Sequence, residues 1–239
     1  MRVPGSKQRI SNLGRTGGGF HPNRLLGFGL AAILGCSEAP LEPVKAVDRR
    51  PVVLCLGDSI TAGYGLDPDR AYPALLQEKV DAADLGFRVH DAGTTGETTS
   101  GGRRRLDWLL EQFDVAVVLL ALGGNDGLRG IDVPTIEENL RAMIDRTREL
   151  RPDARVILAG MQAPPSMGEV FTAPFREVFP RVAREKEVPL VPFLLEGVGG
   201  EDEMNQNDGI HPNEAGQARI AENVWPVLEP VLKELRTAE

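Results

Sequence analysis

Of the 239 residues only three are histidines, His21, His90 and His211. Imidazole is the side chain best suited to take a proton near neutral pH. His211 stands three residues after Asp208, in Asp208-Gly209-Ile210-His211-Pro212. One turn of chain there can bring the carboxylate to an imidazole nitrogen, fixing the tautomer and supporting the imidazolium as it forms. His21 falls in a basic N-terminal segment. His90 belongs to a strand pattern in which its neighbour Asp91 points to the opposite face, so those two do not pair. Beyond residue 36 the serines are Ser37, Ser59, Ser100 and Ser166. Ser100 suits the cap of a helix and Ser166 lies in a proline-rich loop. Ser59 alone follows an apolar run at a glycine turn, Gly57-Asp58-Ser59. A serine alcohol is a weak nucleophile until a base removes its proton, and His211 is the base that the same edge of a sheet could offer.

Acyl transfer also needs donors where negative charge develops on the attacked carbonyl oxygen. The amides of Ser59 and Gly96 and the side chain of Asn125 could form that set. They come from Gly57-Asp58-Ser59, from Gly93-Thr94-Thr95-Gly96-Glu97-Thr98 and from Gly123-Gly124-Asn125-Asp126-Gly127. Taken singly, each segment also fits an ordinary role. Asp208 and His211 can share a loop hydrogen bond, Asp58 and Ser59 can cap a helix, and Asn125 tolerates a left-handed turn. Taken together, in this order, they predict acyl chemistry at one edge.

Something must hold four such distant segments together. Val52–Leu56, Arg88–Asp91, Val115–Leu122, Val156–Ala159 and Leu190–Pro192 read as strands, several apolar at successive positions as strands covered on both faces should be. Between them run helical stripes. Leu106, Leu109, Leu110 and Phe113 form one. Ile136, Leu140, Met143, Ile144 and Leu150 form a second, with Thr135 and Glu138 offering a capping box. Ile220, Val224, Val227 and Leu228 form a third, where Pro226 predicts a kink or a break. Alternating strands and helices predict an α/β domain, a three-layer α/β/α sandwich around a five-stranded parallel sheet. In such sheets ligands sit beyond the carboxyl ends of the strands, which is where each chemical segment falls.

Composition narrows the function further. Hydrophobic residues make up 41% and charged residues 26%, as in ordinary globular proteins. The formal charge of −8 understates the acidity of the body, because residues 1–35 hold Arg2, Lys7, Arg9, Arg15 and Arg24 and no acidic residue. Removing those five from 27 basic residues leaves 22 against 35 acidic ones, or −13. A surface so acidic repels phosphate backbones, which excludes nucleic acid as the expected partner. The basic start leads into the apolar stretch Leu25 to Gly35, the pattern of an export signal. Ile33-Leu34-Gly35-Cys36 resembles a bacterial lipobox. Residues 1–35 are therefore expected to be a lipoprotein-type signal peptide, Cys36 an acylated anchor to the membrane, residues 36–50 a tether, and residues 51–239 the catalytic domain. The expected location is the periplasm or cell envelope. Cys55, inside an apolar run, is expected to be buried and inert, and no cysteine-based metal site is implied. Arg103-Arg104-Arg105 reads as a solvated helix face, and Trp108 and Trp225 as core or rim packing. The loops Gln162–Val170 and Phe193–Asn207 are expected to shape an acyl pocket on the active edge.

The blocks, read together, resemble those of the SGNH hydrolases, also called GDSL-like lipases and esterases. They are Gly57-Asp58-Ser59-Ile60-Thr61-Ala62-Gly63-Tyr64-Gly65, Gly96-Glu97-Thr98-Thr99, Gly123-Gly124-Asn125-Asp126-Gly127-Leu128-Arg129-Gly130 and Asp208-Gly209-Ile210-His211-Pro212-Asn213. The resemblance spans about residues 51–235 and is nearest to an exported arylesterase branch acting as acyl-CoA thioesterase and lysophospholipase I. It implies Ser59 as nucleophile, His211 as base, Asp208 as its orienting acid, and Ser59, Gly96 and Asn125 around the oxyanion hole. It also implies no metal or cofactor, and a flavodoxin-like sheet with a shallow, open site. The expected function is an exported serine hydrolase of ester, thioester or lysophospholipid bonds in small acyl substrates. A carbohydrate acetylesterase of the same fold is the alternative reading, and a binding lipoprotein that has lost catalysis is the other.

Overall fold

The computed structural model describes residues 48–238, and the expected signal peptide, Cys36 and the tether up to residue 47 lie outside the described residues. Strand β1, Val52–Gly57, is buried at every position. Strand β3, Val115–Ala121, is buried at all but one. Burial at both odd and even positions requires cover on both faces of the sheet, and it is why these runs do not alternate with polar residues. Strands β2 (Arg88–Gly93), β4 (Arg155–Ala159) and β5 (Leu190–Val191) complete a five-stranded sheet in the order β2-β1-β3-β4-β5. All pairings are parallel, with Leu54 opposite His90 on one side and Val118 on the other.

Parallel neighbours demand crossover connections, and helices supply them. They are α1 (Tyr72–Ala82), α2 (Thr99–Gln112), α3 (Gly124–Leu128), α4 (Val133–Leu150), α5 (Glu169–Glu185) and α6 (Glu214–Ala238). Helix α1 packs on α6, while α2, α4 and α5 pack in series. The result is the expected three-layer α/β/α sandwich. Its core runs from Val53, Leu54 and Leu56 through Leu119 and Leu120 to Ile136, Ile144, Phe175, Phe179 and Leu228.

Several local expectations need correction. Helix α4 begins before the proposed Thr135–Glu138 capping box. Asp132 is its N-cap and accepts from the Thr135 amide at 3.0 Å, with Pro134 in the first turn, where a missing N–H costs nothing. Ser100 is not the cap of α2; Thr98 is, accepting from the Gly101 amide. Helix α6 continues through Pro226 and Pro230 as a single element. Each proline deletes a backbone bond, and the buried Val224, Leu228, Val231 and Leu232 hold the helix to the core across the gap. The triple arginine is not a uniformly solvated face. Arg105 turns inward to the Glu97 carboxylate and to the carbonyls of Gly57 and Ala92, clamping the ends of β1 and β2. Trp225 packs against the core, whereas Trp108 is exposed. Cys55 is buried, and burial pushes its thiol far above the ordinary range.

Candidate active site

The chain leaves β1 through Gly57, where any side chain would collide with the Thr61 hydroxyl. The tight reversal that follows carries Ser59. It is closed by the Ala62 amide donating to the Asp58 carbonyl and the Tyr64 amide to the Ser59 carbonyl, both at 3.0 Å. Gln217 of α6 pins this turn from beneath. Its buried carboxamide donates to the Ile60 carbonyl at 3.0 Å and accepts from the Tyr72 amide at 2.9 Å. The Thr61 and Tyr72 hydroxyls meet at 2.8 Å. The turn is thereby fixed to α1 and α6, and a fixed turn is what a nucleophile held at one bearing needs.

His211 arrives from the far end of the chain, on the long connection between β5 and α6. Side-chain to backbone bonds shape that connection. Asn205 donates to the carbonyls of Val198 and Glu201, and Asn213 to that of Glu203. The Gln206 amide donates to the His211 carbonyl at 2.8 Å, and its side chain donates to the carbonyls of Pro212 and Tyr64. The histidine loop and the serine turn are thus tied together directly. The Tyr64 ring also lies over the imidazole, with centroids 4.5 Å apart.

Across this junction runs one unbroken hydrogen-bonded series. Ser59 Oγ lies 3.1 Å from His211 Nε2, though 152 residues separate the two in sequence. His211 Nδ1 lies 2.7 Å from Asp208 Oδ2. The other carboxylate oxygen of Asp208 accepts from the amides of Ile210 at 2.9 Å and His211 at 3.0 Å. Hydrogen bonds from the His211 amide, the imidazole and the Ile210 amide hold the Asp208 carboxyl well below the usual carboxylate range. An ionised Asp208 only accepts, so the imidazole proton resides on Nδ1 and Nε2 presents a lone pair to the serine hydroxyl.

Gly96 follows β2 with φ of +76°, a left-handed conformation that glycine adopts without strain. Its carbonyl accepts from Arg129 at 2.9 Å, tying this turn to the segment after α3. Neither the Ser59 nor the Gly96 amide donates to a protein acceptor among the described residues. Asn125, in α3 beyond β3, donates from Nδ2 to Asp58 Oδ2 at 3.1 Å. A carboxamide nitrogen carries two hydrogens, so a second one is available. Helix α3 is itself held by its buried Asp126, which accepts from the Thr99 amide at 2.9 Å and hydroxyl at 2.6 Å. Asn139 of α4 donates to the same hydroxyl at 3.1 Å.

Ser59, Gly96, Asn125, Asp208 and His211 lie beyond the carboxyl ends of the strands. Ser59, His211 and Asp208 bond directly, Asn125 joins through Asp58, and Gly96 joins through Arg129. The roles of Gln217, Tyr64 and the Asp58–Asn125 contact are additional. No spacing rule points to them, since each depends on segments that only the fold brings together. Loop Gln162–Gly168 and the first turn of α5 form a recess of about 100 Å³ lined by Gln162, Ala163, Pro165, Glu169, Thr172 and Arg176. Among the described residues no group of three His, Cys, Asp or Glu gathers as a metal site requires.

A parallel sheet covered on both faces, bearing a serine on the turn after its first strand and an Asp-x-x-His pair before its last helix, defines a hydrolase of the SGNH type. The chain belongs to the GDSL-like lipase/acylhydrolase family, whose sequence profile matches residues 55–219, and it is an esterase of that class. It is 44% identical to esterase TesA of Pseudomonas aeruginosa over 83% of this chain and 96% of that protein. It is 36% identical to thioesterase 1/protease 1/lysophospholipase L1 of Escherichia coli over 75% of this chain and 84% of that one. Among solved structures, the psychrotrophic esterase EstA of Pseudoalteromonas superposes with a TM-score of 0.71 at 33% identity, covering 76% of this chain and 98% of EstA.

Proposed function

We propose that the protein is an exported serine hydrolase that cleaves carboxylic esters, thioesters and lysophospholipids through an acyl-enzyme formed on Ser59. The observation that carries this reading is the continuous series from Ser59 Oγ through His211 to Asp208. Ser59 Oγ attacks the carbonyl carbon while its proton passes to His211 Nε2. The imidazolium so formed keeps its Nδ1–H on Asp208, which stabilises the charge without taking the proton. The oxygen that becomes negative is received by the amides of Ser59 and Gly96 and by Asn125 Nδ2. Collapse expels the alcohol or thiol with the proton from His211. Water, deprotonated by the same imidazole, then attacks the ester on Ser59 and frees the acid. Relatives named as esterase, thioesterase and lysophospholipase support both oxygen and sulfur leaving groups. A fluorophosphonate probe tests the reading: Ser59 Oγ displaces fluoride, and a phosphonyl ester on the Ser59 peptide is expected in the digest. An unlabelled Ser59 in folded protein would refute it.

The address belongs to the same proposal. The basic start, the apolar stretch Leu25 to Gly35 and the lipobox-like Ile33-Leu34-Gly35-Cys36 support export, with acylation of Cys36 holding the protein in the cell envelope. Two acyl chains anchor far more firmly than one. The Cys36→Ser variant is expected to move from the membrane fraction to the soluble one. Continued membrane association would count against acylation at Cys36.

A further inference from the structure

Two buried carboxylates beside the site, Asp58 and Asp126, take no part in the acyl-enzyme scheme. Asp126 is occupied in holding α3 to α2 through Thr99. Asp58 is different, because its one side-chain partner is the group assigned to the oxyanion. Resting on the acyl-enzyme reading, we propose that Asp58 is a positioning residue that turns the Asn125 carboxamide so that its nitrogen, not its oxygen, faces the developing negative charge.

The two ends of a carboxamide are nearly the same size, so packing alone does not select between the two orientations of Asn125. Hydrogen bonding does. Asp58 Oδ1 accepts from the Ile60 amide at 2.9 Å, which leaves Oδ2, 3.1 Å from Asn125 Nδ2, as the atom that chooses. An ionised carboxylate has no hydrogen to give, and only a nitrogen satisfies it. Rotated by half a turn, Asn125 would set two oxygens against each other and a lone pair against the oxyanion. Asp58 is 2% exposed, so water does not dilute the preference. Burial pushes its carboxyl up to about 6, with Asp126 from α3 adding to this, while the Ile60 amide, Asn125 and His211 pull it down. Above that pH the carboxylate is ionised and enforces the productive orientation.

The isosteric Asp58→Asn variant reverses the instruction. Its oxygen remains claimed by the Ile60 amide, so its nitrogen faces Asn125 and requires the Asn125 oxygen in return. At pH 8 on a chromogenic short-chain ester, kcat is expected to fall about 10²-fold, the size of a lost oxyanion donor, with KM changed less than about threefold. Asn125→Ala is expected to fall by a similar amount. The double variant is expected to lie within about threefold of Asn125→Ala, because residues acting as one unit are not additive. The melting temperature of Asp58→Asn is expected to hold or rise at pH 8, since the change removes a buried charge. A kcat within about threefold of the parent, losses that multiply in the double variant, or a steep drop in melting temperature would overturn the assignment. Fluorophosphonate labelling of the parent is read separately. Its absence removes the acyl-enzyme reading itself, whereas a labelled parent with a fully active Asp58→Asn removes only the positioning role of Asp58.

Discussion

Ser59→Ala is expected to lower kcat on an ester substrate by about 10⁶-fold, the loss seen when a serine hydrolase is deprived of its nucleophile. The substitution removes a single oxygen. The turn itself is held by main-chain bonds at Ala62 and Tyr64 and by Gln217 beneath Ile60, none of which involves the lost hydroxyl. The melting temperature of the variant is therefore expected to match that of the parent. Turnover above about one per cent of the parent rate, in protein shown by circular dichroism to be folded, would remove Ser59 from the reaction. The scale of the effect follows from the chemistry: without the alkoxide there is no acyl-enzyme, and what remains is the modest help that the amide donors give to direct attack by water.

Asp208→Asn is expected to lower kcat by about 10⁴-fold, for a reason of tautomer and not of charge alone. In the parent, Asp208 Oδ1 is already engaged by the Ile210 and His211 amides. An asparagine there keeps its oxygen for those two donors and turns its nitrogen toward the imidazole. His211 Nδ1 must then accept, its proton moves to Nε2, and the lone pair that receives the Ser59 proton is gone. The geometry survives while the base fails. Because Asp208 is exposed, the fold is expected to be indifferent to the change, and the loss appears in kcat more than in KM. A variant within about tenfold of the parent would show that His211 is oriented by something else. The test is independent of Ser59→Ala, since it asks about the imidazole and not the alcohol.

Strands and site residues are legible in the sequence for different reasons. Runs such as Val52–Leu56 and Val115–Leu122 announce central strands because burial on both faces leaves no room for polar alternation. They match β1 and β3 to within a residue. Ser59 and His211 stand out because both residue types are scarce beyond residue 36, so few alternatives need eliminating. Helices α1 and α5 are harder to see. Helix α5 contains Pro174 and Pro180 in its interior. Local propensity argues against such a segment, and it is overruled by the burial of Phe175, Val178, Phe179 and Val182, while the short α1 is held by the burial of Leu76 and Val80. The same override keeps α6 whole through Pro226. Thr135 and Glu138 have the spacing of a cap for α4, yet Asp132 stands just ahead of Val133 and Pro134, and proline in the first turn favours the earlier start. What spacing does not supply at all is the Asp58–Asn125 bond, which spans 67 residues. Gly-Asp-Ser places an aspartate beside the nucleophile, but only the β1–β3 pairing decides what that aspartate meets.

The 152 residues between the serine hydroxyl and its imidazole also govern when this protein can begin to work. A polypeptide still emerging from the ribosome has made its nucleophile early and lacks the partner that would sharpen it. A chain that stops short of Asp208 holds the nucleophile without its base, so hydrolysis of an ester is expected only once the segment that follows β5 is in place.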